Sequence, residues 1–248
     1  IEPIISPKLI LGSELYLASE SHLKALIFLS DHMESRYHQI YPYRGVPTYS
    51  MRFYTSHCHS FSMFDFEKYR AFPRVCHIGD WLRCFRSFFE LDVSMPKIFV
   101  KKSSTDGYID QLSYGYYKDS DWQHSPRGLF SVVSKVSDKE YDDMLASSVV
   151  FVNLFDTSAN NLVTECIDRA TPLVINRLPA AIEYLGLEYP LFYDNLLEAE
   201  AILSDMDRIR MGHQYLLKHR LEADLKGHNL RIARDLADNL LHVLSLQG

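Results

Sequence analysis

The sequence has few cysteines and no pairing pattern among them. Cys58, Cys76, Cys84 and Cys166 form neither CxxC pairs nor the spacing of a disulfide framework. This favours a reducing compartment, and we expect a cytoplasmic protein. No apolar run approaches the roughly 18 residues of a bilayer-spanning helix, and no signal-peptide pattern is present, so we expect no membrane span. The chain begins without Met, which suggests a piece of a longer polypeptide whose other domains are candidate partners.

An excess of basic charge is also absent. The 26 Lys and Arg residues face 32 Asp and Glu residues, giving a formal net charge of -6. This argues against a nucleic-acid partner, which would need clustered positive charge. No Gly-x-Gly-x-x-Gly follows a predicted strand, which disfavours dehydrogenases and methyltransferases. With 248 residues, 47% hydrophobic and 23% charged, the chain is long enough for one large globular domain or two small ones.

The most informative stretch runs from Val149 to Asn176, VVFVNLFDTSANNLVTECIDRATPLVIN. Its first six residues are β-branched, aromatic or apolar for the most part, as in a strand buried on both faces. A polar turn over 156–161 then offers several helix caps, and Pro172 precedes a second apolar strand. The stretch is therefore predicted to be a β-α-β unit. Ligands of such units bind beyond the carboxyl ends of the strands, which here means residues 156–161.

This pattern resembles the nucleotide-sugar half of a GT-B glycosyltransferase. Glu165 stands where the ribose-binding glutamate of that class stands, and Thr171-Pro172 matches the step into the next strand. A short helix from Arg177 to Gly186, and then a strand at 189–192, also resemble the class. Many members carry an acidic residue and a glycine in the loop, whereas this chain has Thr157 and Asn160 or Asn161 there. The resemblance covers about the last two thirds of the chain.

The resemblance implies an α/β, GT-B-like fold: a Rossmann-like parallel sheet flanked by helices, with a smaller N-terminal αβ domain and a helical C-terminus. We predict a small acceptor-side domain over residues 1–73 and a nucleotide-sugar-binding domain over 74–248. The segment from Ser158 to Phe192 is similar to glycosyltransferases that build surface glycans in bacteria and large DNA viruses. The implied partners are a nucleotide-sugar donor and a glycan acceptor.

Periodicity and caps predict the remaining elements. Residues 56–73 have no clear period and are interpreted as the domain junction, and Ser137 to Glu140 reads as a capping box. Predicted strands cover 25–29, 48–55, 74–78, 97–100 and 129–136; predicted helices cover 13–24, 30–41, 81–91, 137–146, 196–206, 209–225 and 230–246. Residues 103–125 are predicted as a polar, tyrosine-rich loop.

Sugar transfer from a nucleotide diphosphate needs a grip on the nucleoside, positive charge on the diphosphate and, for inversion, a base. Glu165 is the candidate for the ribose, although it also fits a solvated helix face. Backbone approach and charge at strand ends suggest the donor-binding set Gly79, Asp80, Arg83, Lys101, Ser158, Asn160, Asn161 and Glu165. Candidate bases near the predicted cleft are Asp31, His32 and His57.

The predicted function is metal-independent hexosyl or deoxyhexosyl transfer from a nucleotide diphosphate, with UDP expected, to a glycan. We expect no cofactor beyond this co-substrate. One alternative is a metal-dependent GT-A enzyme that uses Asp119 and Asp121, although this pair follows a polar segment and also fits a turn. Another is a non-catalytic nucleotide-sugar-binding module of a larger protein. The sequence does not select the sugar, the acceptor or the stereochemical course.

Overall fold

A computed structural model describes residues 25–40, 46–52, 61–79, 82–101, 129–134 and 136–222, together with helical positions 230, 233–234 and 237–238. The statements below concern these residues. The predicted helix over 13–24 and the predicted loop over 103–125 lie outside them, as does most of the predicted helix over 230–246.

Strands and helices largely alternate along the described part of the chain. The strands are β1 Leu26–Phe28, β2 Thr48–Ser50, β3 Val75–Ile78, β4 Lys97–Lys101, β5 Phe130–Ser134, β6 Val149–Val152, β7 Leu173–Asn176 and β8 Phe192–Tyr193. The helices are α1 Asp31–Ile40, α2 Phe66–Ala71, α3 Phe85–Glu90, α4 Asp138–Leu145, α5 Asn161–Arg169, α6 Pro179–Leu185, α7 Leu196–Ser204 and α8 Met206–Glu222.

Six strands form one parallel sheet in the order β5-β4-β3-β6-β7-β8. β3 and β6 are buried along their whole length, as are the first three residues of β7, because helices cover both faces of the sheet. This is the Rossmann strand order: the chain adds β4 and β5 on one side of β3, and then returns to add β6, β7 and β8 on its other side. The switch point of the sheet therefore lies between β3 and β6. The predicted α/β class with a Rossmann-like sheet is confirmed.

A smaller unit precedes this sheet. β1 and β2 pair in parallel, and α1 packs Tyr37 against Phe28 with ring centroids 5.1 Å apart. The predicted junction over 56–73 contains α2, which packs on the large unit: Phe64 N donates to Arg169 O at 2.9 Å, and Tyr69 is fully buried. The domain boundary at 73 remains a prediction.

Local signals located the start of α4 correctly and misplaced two other boundaries. The capping box at Ser137 is present, with side-chain and backbone bonds in both directions to Glu140. The predicted helix over 81–91 was too long at its start, because Leu82 has a positive φ of 56° and Arg83 forms a β-bridge to Leu154. The strand predicted over 189–192 is displaced to β8.

Lys97, at the start of β4, is a fully buried cation. Its Nζ donates to the carbonyl oxygens of Phe88 at 3.3 Å, Phe89 at 3.0 Å and Leu91 at 2.8 Å. These carbonyls lie at the C-terminal end of α3, where helical carbonyls lack intrahelical partners and the dipole favours a positive charge. Lys97 therefore joins the end of α3 to the sheet.

We expect Lys97→Met to lower the free energy of unfolding by about 2 to 4 kcal/mol, because it leaves buried carbonyls without a donor. The measurement is urea unfolding followed by circular dichroism. Lys68→Met on the exposed face of α2 is the control, and we expect it to stay within about 0.5 kcal/mol of the wild type. Equal stabilities for both variants would contradict this role of Lys97.

Candidate functional site

The candidate site lies at the carboxyl ends of β3 and β6. The two segments that follow these strands form a short antiparallel ladder, in which Cys84 N donates to Asn153 O at 2.8 Å and Phe155 N donates to Leu82 O at 2.9 Å. Ligands of Rossmann-like sheets bind at this switch point. The ladder therefore fixes both segments where a ligand is expected.

The end of β7 braces the same ladder. Asn176 Oδ1 accepts from Leu154 N at 2.8 Å, and Asn176 Nδ2 donates to Leu154 O at 2.9 Å. The side-chain amide of Asn176 thus hydrogen-bonds to both the N–H and the C=O of Leu154, in the segment after β6. The ends of three neighbouring strands are joined by hydrogen bonds.

Arg83 brings the predicted residues Gly79 and Asn160 together. Its Nη2 donates to Asn160 Oδ1 at 3.1 Å, and its guanidinium lies against the backbone of Gly79, which has a φ of 87°. The positive φ favours glycine at position 79, and a Cβ there would displace the guanidinium from its place against the backbone. The result is a partly buried positive charge at the switch point.

The first turn of α5 faces the same place. Asn160 is the N-cap of α5, and its Oδ1 accepts from Leu162 N at 3.0 Å as well as from Arg83. The N-terminal amides of a helix carry partial positive charge and bind anions. Ser158 is half-buried in the preceding loop, and Asn161 is the exposed first residue of the helix. A guanidinium and a helix N-terminus therefore lie side by side.

Glu165 lies just over one turn into α5 and is half-buried. The hydroxyl of Tyr141, on α4, donates to Glu165 Oε2 in a short hydrogen bond. Burial, followed by the Glu165 charge, raises the pKa of Tyr141 far above its ordinary value, so the phenol keeps its proton and remains a donor. This contact orients the carboxylate that was predicted to bind ribose.

His77, two residues before Gly79, is a buried neutral base. Its Nδ1 lies 3.1 Å from Phe151 O, and a carbonyl only accepts, so Nδ1 carries the proton. Burial is the main cause, and the Arg83 charge the second, of a pKa lowered from 6.5 to about 3. The ring stacks on Phe99 at 5.4 Å between centroids. His77 is thus an uncharged part of the core beneath the site, and the positive charge there is that of Arg83.

The candidate bases Asp31 and His32 begin α1 in the small unit. Their backbone amides donate to the Glu183 carboxylate of α6, and the exposed Asp31 carboxylate lies 3.8 Å from Arg52. Further along α1, Arg36 lies 3.7 Å from Asp156 in the loop before α5. The start of α1 is therefore attached to the large unit near the site.

Several predicted residues lie outside the described part of the chain: His57, Asp80, Asp119 and Asp121. Lys101 ends β4 at the carboxyl edge of the sheet, and only its backbone is described. Sequence reasoning missed Arg36, Tyr141, Asn176 and Glu183. Their partners are between 22 and 152 positions away, so no local spacing marked them.

Among the described residues, no group of three or more His, Cys, Asp or Glu side chains is arranged to hold a metal ion. Within the same ranges, no helix is long and apolar enough to cross a bilayer.

No family model and no curated protein matches the sequence. Solved structures do match. HepE of Anabaena in complex with UDP-glucose has a TM-score of 0.66 at 14% identity, with 96% of this chain and 71% of HepE covered. Sucrose-phosphate synthase of Thermosynechococcus elongatus has a TM-score of 0.61 at 15% identity, with 97% and 65% covered. A UDP-forming trehalose-phosphate synthase of Burkholderia xenovorans, in complex with glucose-6-phosphate, has a TM-score of 0.64 at 10% identity, with 95% and 66% covered.

These structures are GT-B glycosyltransferases, and the chain has their fold. The predicted resemblance is confirmed at the level of fold. The chain spans 66% of the length of each of the first structures that it matches. The GT-A alternative required a different fold and is not supported by this architecture.

The lowered pKa of His77 predicts how the free energy of unfolding depends on pH. A histidine whose pKa falls on folding binds fewer protons in the folded state, so stability is lost as pH falls from about 6.5 towards 3. At pH 5 we expect a loss of about 2 kcal/mol from this group relative to pH 7.5. His77→Phe should remove that part of the dependence. Urea unfolding of both proteins at the two pH values is the measurement, and equal pH dependence would contradict the prediction.

Proposed function

We propose that this protein transfers a sugar from a nucleotide diphosphate donor, with UDP as the nucleotide, to a glycan acceptor without a catalytic metal. The observation that carries the proposal is the Arg83 guanidinium, which lies on Gly79 and beside the N-terminus of α5 at the switch point of the sheet. Among structures of the same fold, HepE is in complex with UDP-glucose, and the trehalose-phosphate synthase is UDP-forming.

The diphosphate end of the donor is assigned to Gly79, Arg83 and the first turn of α5. Charge develops on the diphosphate as the bond from the sugar C1 breaks, and fixed positive groups stabilise that charge. Arg83 offers a guanidinium that can bind phosphate oxygens in bidentate geometry, and Asn160 already orients it. This arrangement supplies the positive charge that a divalent ion supplies in metal-dependent transferases. Lys101, at the end of β4, is a candidate for further charge.

The nucleoside end is assigned to Glu165. A carboxylate accepts from two ribose hydroxyls, as acidic residues do in dinucleotide folds. Tyr141 occupies Oε2 of Glu165 as a donor, and an oxygen has more than one lone pair, so accepting from a ribose hydroxyl remains compatible with that contact. Ser158, Asn160 and Asn161 complete the proposed donor-binding set.

The acceptor is assigned to the side of the small unit. In the transfer, an acceptor hydroxyl oxygen forms a bond to the sugar C1, the bond from C1 to the diphosphate oxygen breaks, and the nucleotide diphosphate leaves. If the reaction inverts the anomeric centre, a base takes the hydroxyl proton, and Asp31 and His32 are the candidates. The ion pair between Arg36 and Asp156 supports their nearness to the donor loop.

The first test is calorimetric titration with UDP in the presence of EDTA. We expect metal-independent binding that Arg83→Ala weakens tenfold or more, because a hydrogen bond to a charged group contributes about 1.5 to 3 kcal/mol. Arg86→Ala is the matched control, since Arg86 is exposed and bonds to Glu90 on the same helix. UDP binding that requires a divalent ion, or equal effects of the two variants, would overturn the assignment.

The second test concerns Glu165. Glu165→Ala should weaken UDP binding about tenfold, or roughly 1.4 kcal/mol. It should weaken the binding of UDP analogues that lack the ribose 2′- and 3′-hydroxyls far less. Glu188→Ala, at an exposed glutamate, is the control and should change neither. Unchanged UDP affinity in Glu165→Ala would contradict ribose binding by Glu165 and would indicate a structural role. UDP binding without turnover of any UDP-sugar would favour the non-catalytic module.

A further inference from the structure

Glu183 makes an unusual long-range contact with the beginning of α1. Its Oε2 accepts from Asp31 N at 2.8 Å, and its Oε1 accepts from His32 N at 2.6 Å. Ser30 Oγ accepts from Met33 N at 3.3 Å. Side-chain oxygens thus occupy three successive amides of the first turn, and two of these bonds come from a helix about 150 positions away.

A carboxylate is well suited to this place. The N-terminal amides of a helix lack intrahelical partners and carry partial positive charge, so a negative group gains from both hydrogen bonds and the dipole. Both oxygens of Glu183 are used, which fixes the direction of the helix as well as its distance. An uncharged side chain of the same size would lose the charge and one of the two acceptors.

Two other contacts join the units in the same region. The hydroxyl of Tyr184, next to Glu183, donates to Leu29 O at the end of β1 with a distance of 2.6 Å. Arg36 pairs with Asp156 at 3.7 Å, and both side chains are about 30% exposed. A partly exposed pair at this distance contributes little by itself. Tyr184 binds the chain before α1, whereas Glu183 accepts from two amides of the first turn of the helix itself.

We propose that Glu183 is a positioning residue: it holds the first turn of α1, and with it Asp31 and His32, beside the donor site. This inference rests on the proposed function, because it concerns the placement of the acceptor-side residues of that reaction. Both carboxylate oxygens of Glu183 are engaged by backbone amides, so its proposed role is to position α1 and not to bind the substrate.

The test is Glu183→Gln, which preserves the size of the side chain but removes the charge and turns an NH₂ group towards a backbone amide. Hydrogen exchange should become at least tenfold faster at the amides of residues 31 and 32. With a UDP-sugar that the wild type turns over, kcat should fall tenfold or more. The donor KM and the Kd of UDP should change less than twofold, because the donor binds to the large unit.

Two further variants separate this role from general stability. Glu188→Gln replaces an exposed glutamate five positions along and should change neither the exchange nor kcat. Tyr184→Phe removes the bond to Leu29 but leaves the carboxylate, and it should leave exchange at residues 31 and 32 within about twofold of the wild type.

Faster exchange with an unchanged kcat would overturn the positioning role. A parallel loss of kcat, UDP affinity and thermal stability would also overturn it, because Glu183 would then be needed for the fold as a whole. A wild-type protein that binds no UDP would refute the proposed function and, with it, the positioning role. Normal UDP binding together with unchanged hydrogen exchange in Glu183→Gln would refute only the positioning role.

Discussion

The geometry of the candidate site depends on a single amide oxygen, Asn160 Oδ1. It caps α5 by accepting from Leu162 N, and it also accepts from the Arg83 guanidinium. The positive end of a helix and a full positive charge are therefore held in a fixed relation by one atom. Two positive groups this close repel each other, and a bound anion would relieve that repulsion. The arrangement is suited to a diphosphate for this reason.

The sheet supplies the rigidity that such an arrangement needs. β3 and β6 are buried throughout, so their ends are defined by core packing, and Asn176 connects the end of β7 to the segment after β6. Beyond the end of β3 the chain departs from regular structure, with a positive φ at Gly79 and at Leu82. Sites of this kind place variable polar residues on loops that a rigid scaffold holds.

The parts of this structure that the sequence predicted are those set by local rules. Burial on both faces marked β6 and β7, the capping box marked the start of α4, and a polar turn marked the beginning of α5. The start of α3 was predicted too early because the apolar spacing continues through Leu82, whereas the bridge from Arg83 to Leu154 holds that segment extended. No pattern in the sequence indicated that Glu183 would hold a helix in the other unit. Such a partner follows only from the tertiary packing of α1 on α6.

The hydrogen bonds and the ion pair described between the two units share one feature: they are polar. Glu183, Tyr184 and Arg36 contribute hydrogen bonds and an ion pair, in contrast to the apolar packing within the large sheet. Polar contacts of limited area between domains permit relative motion, because water satisfies the same groups when the contact opens. In the proposed transfer the acceptor would meet the donor between the two units, so the units would open to release the nucleotide and close to exclude water. The contact between Glu183 and the first turn of α1 suits such a cycle, because it orients α1 when formed and water would satisfy both partners if it opened.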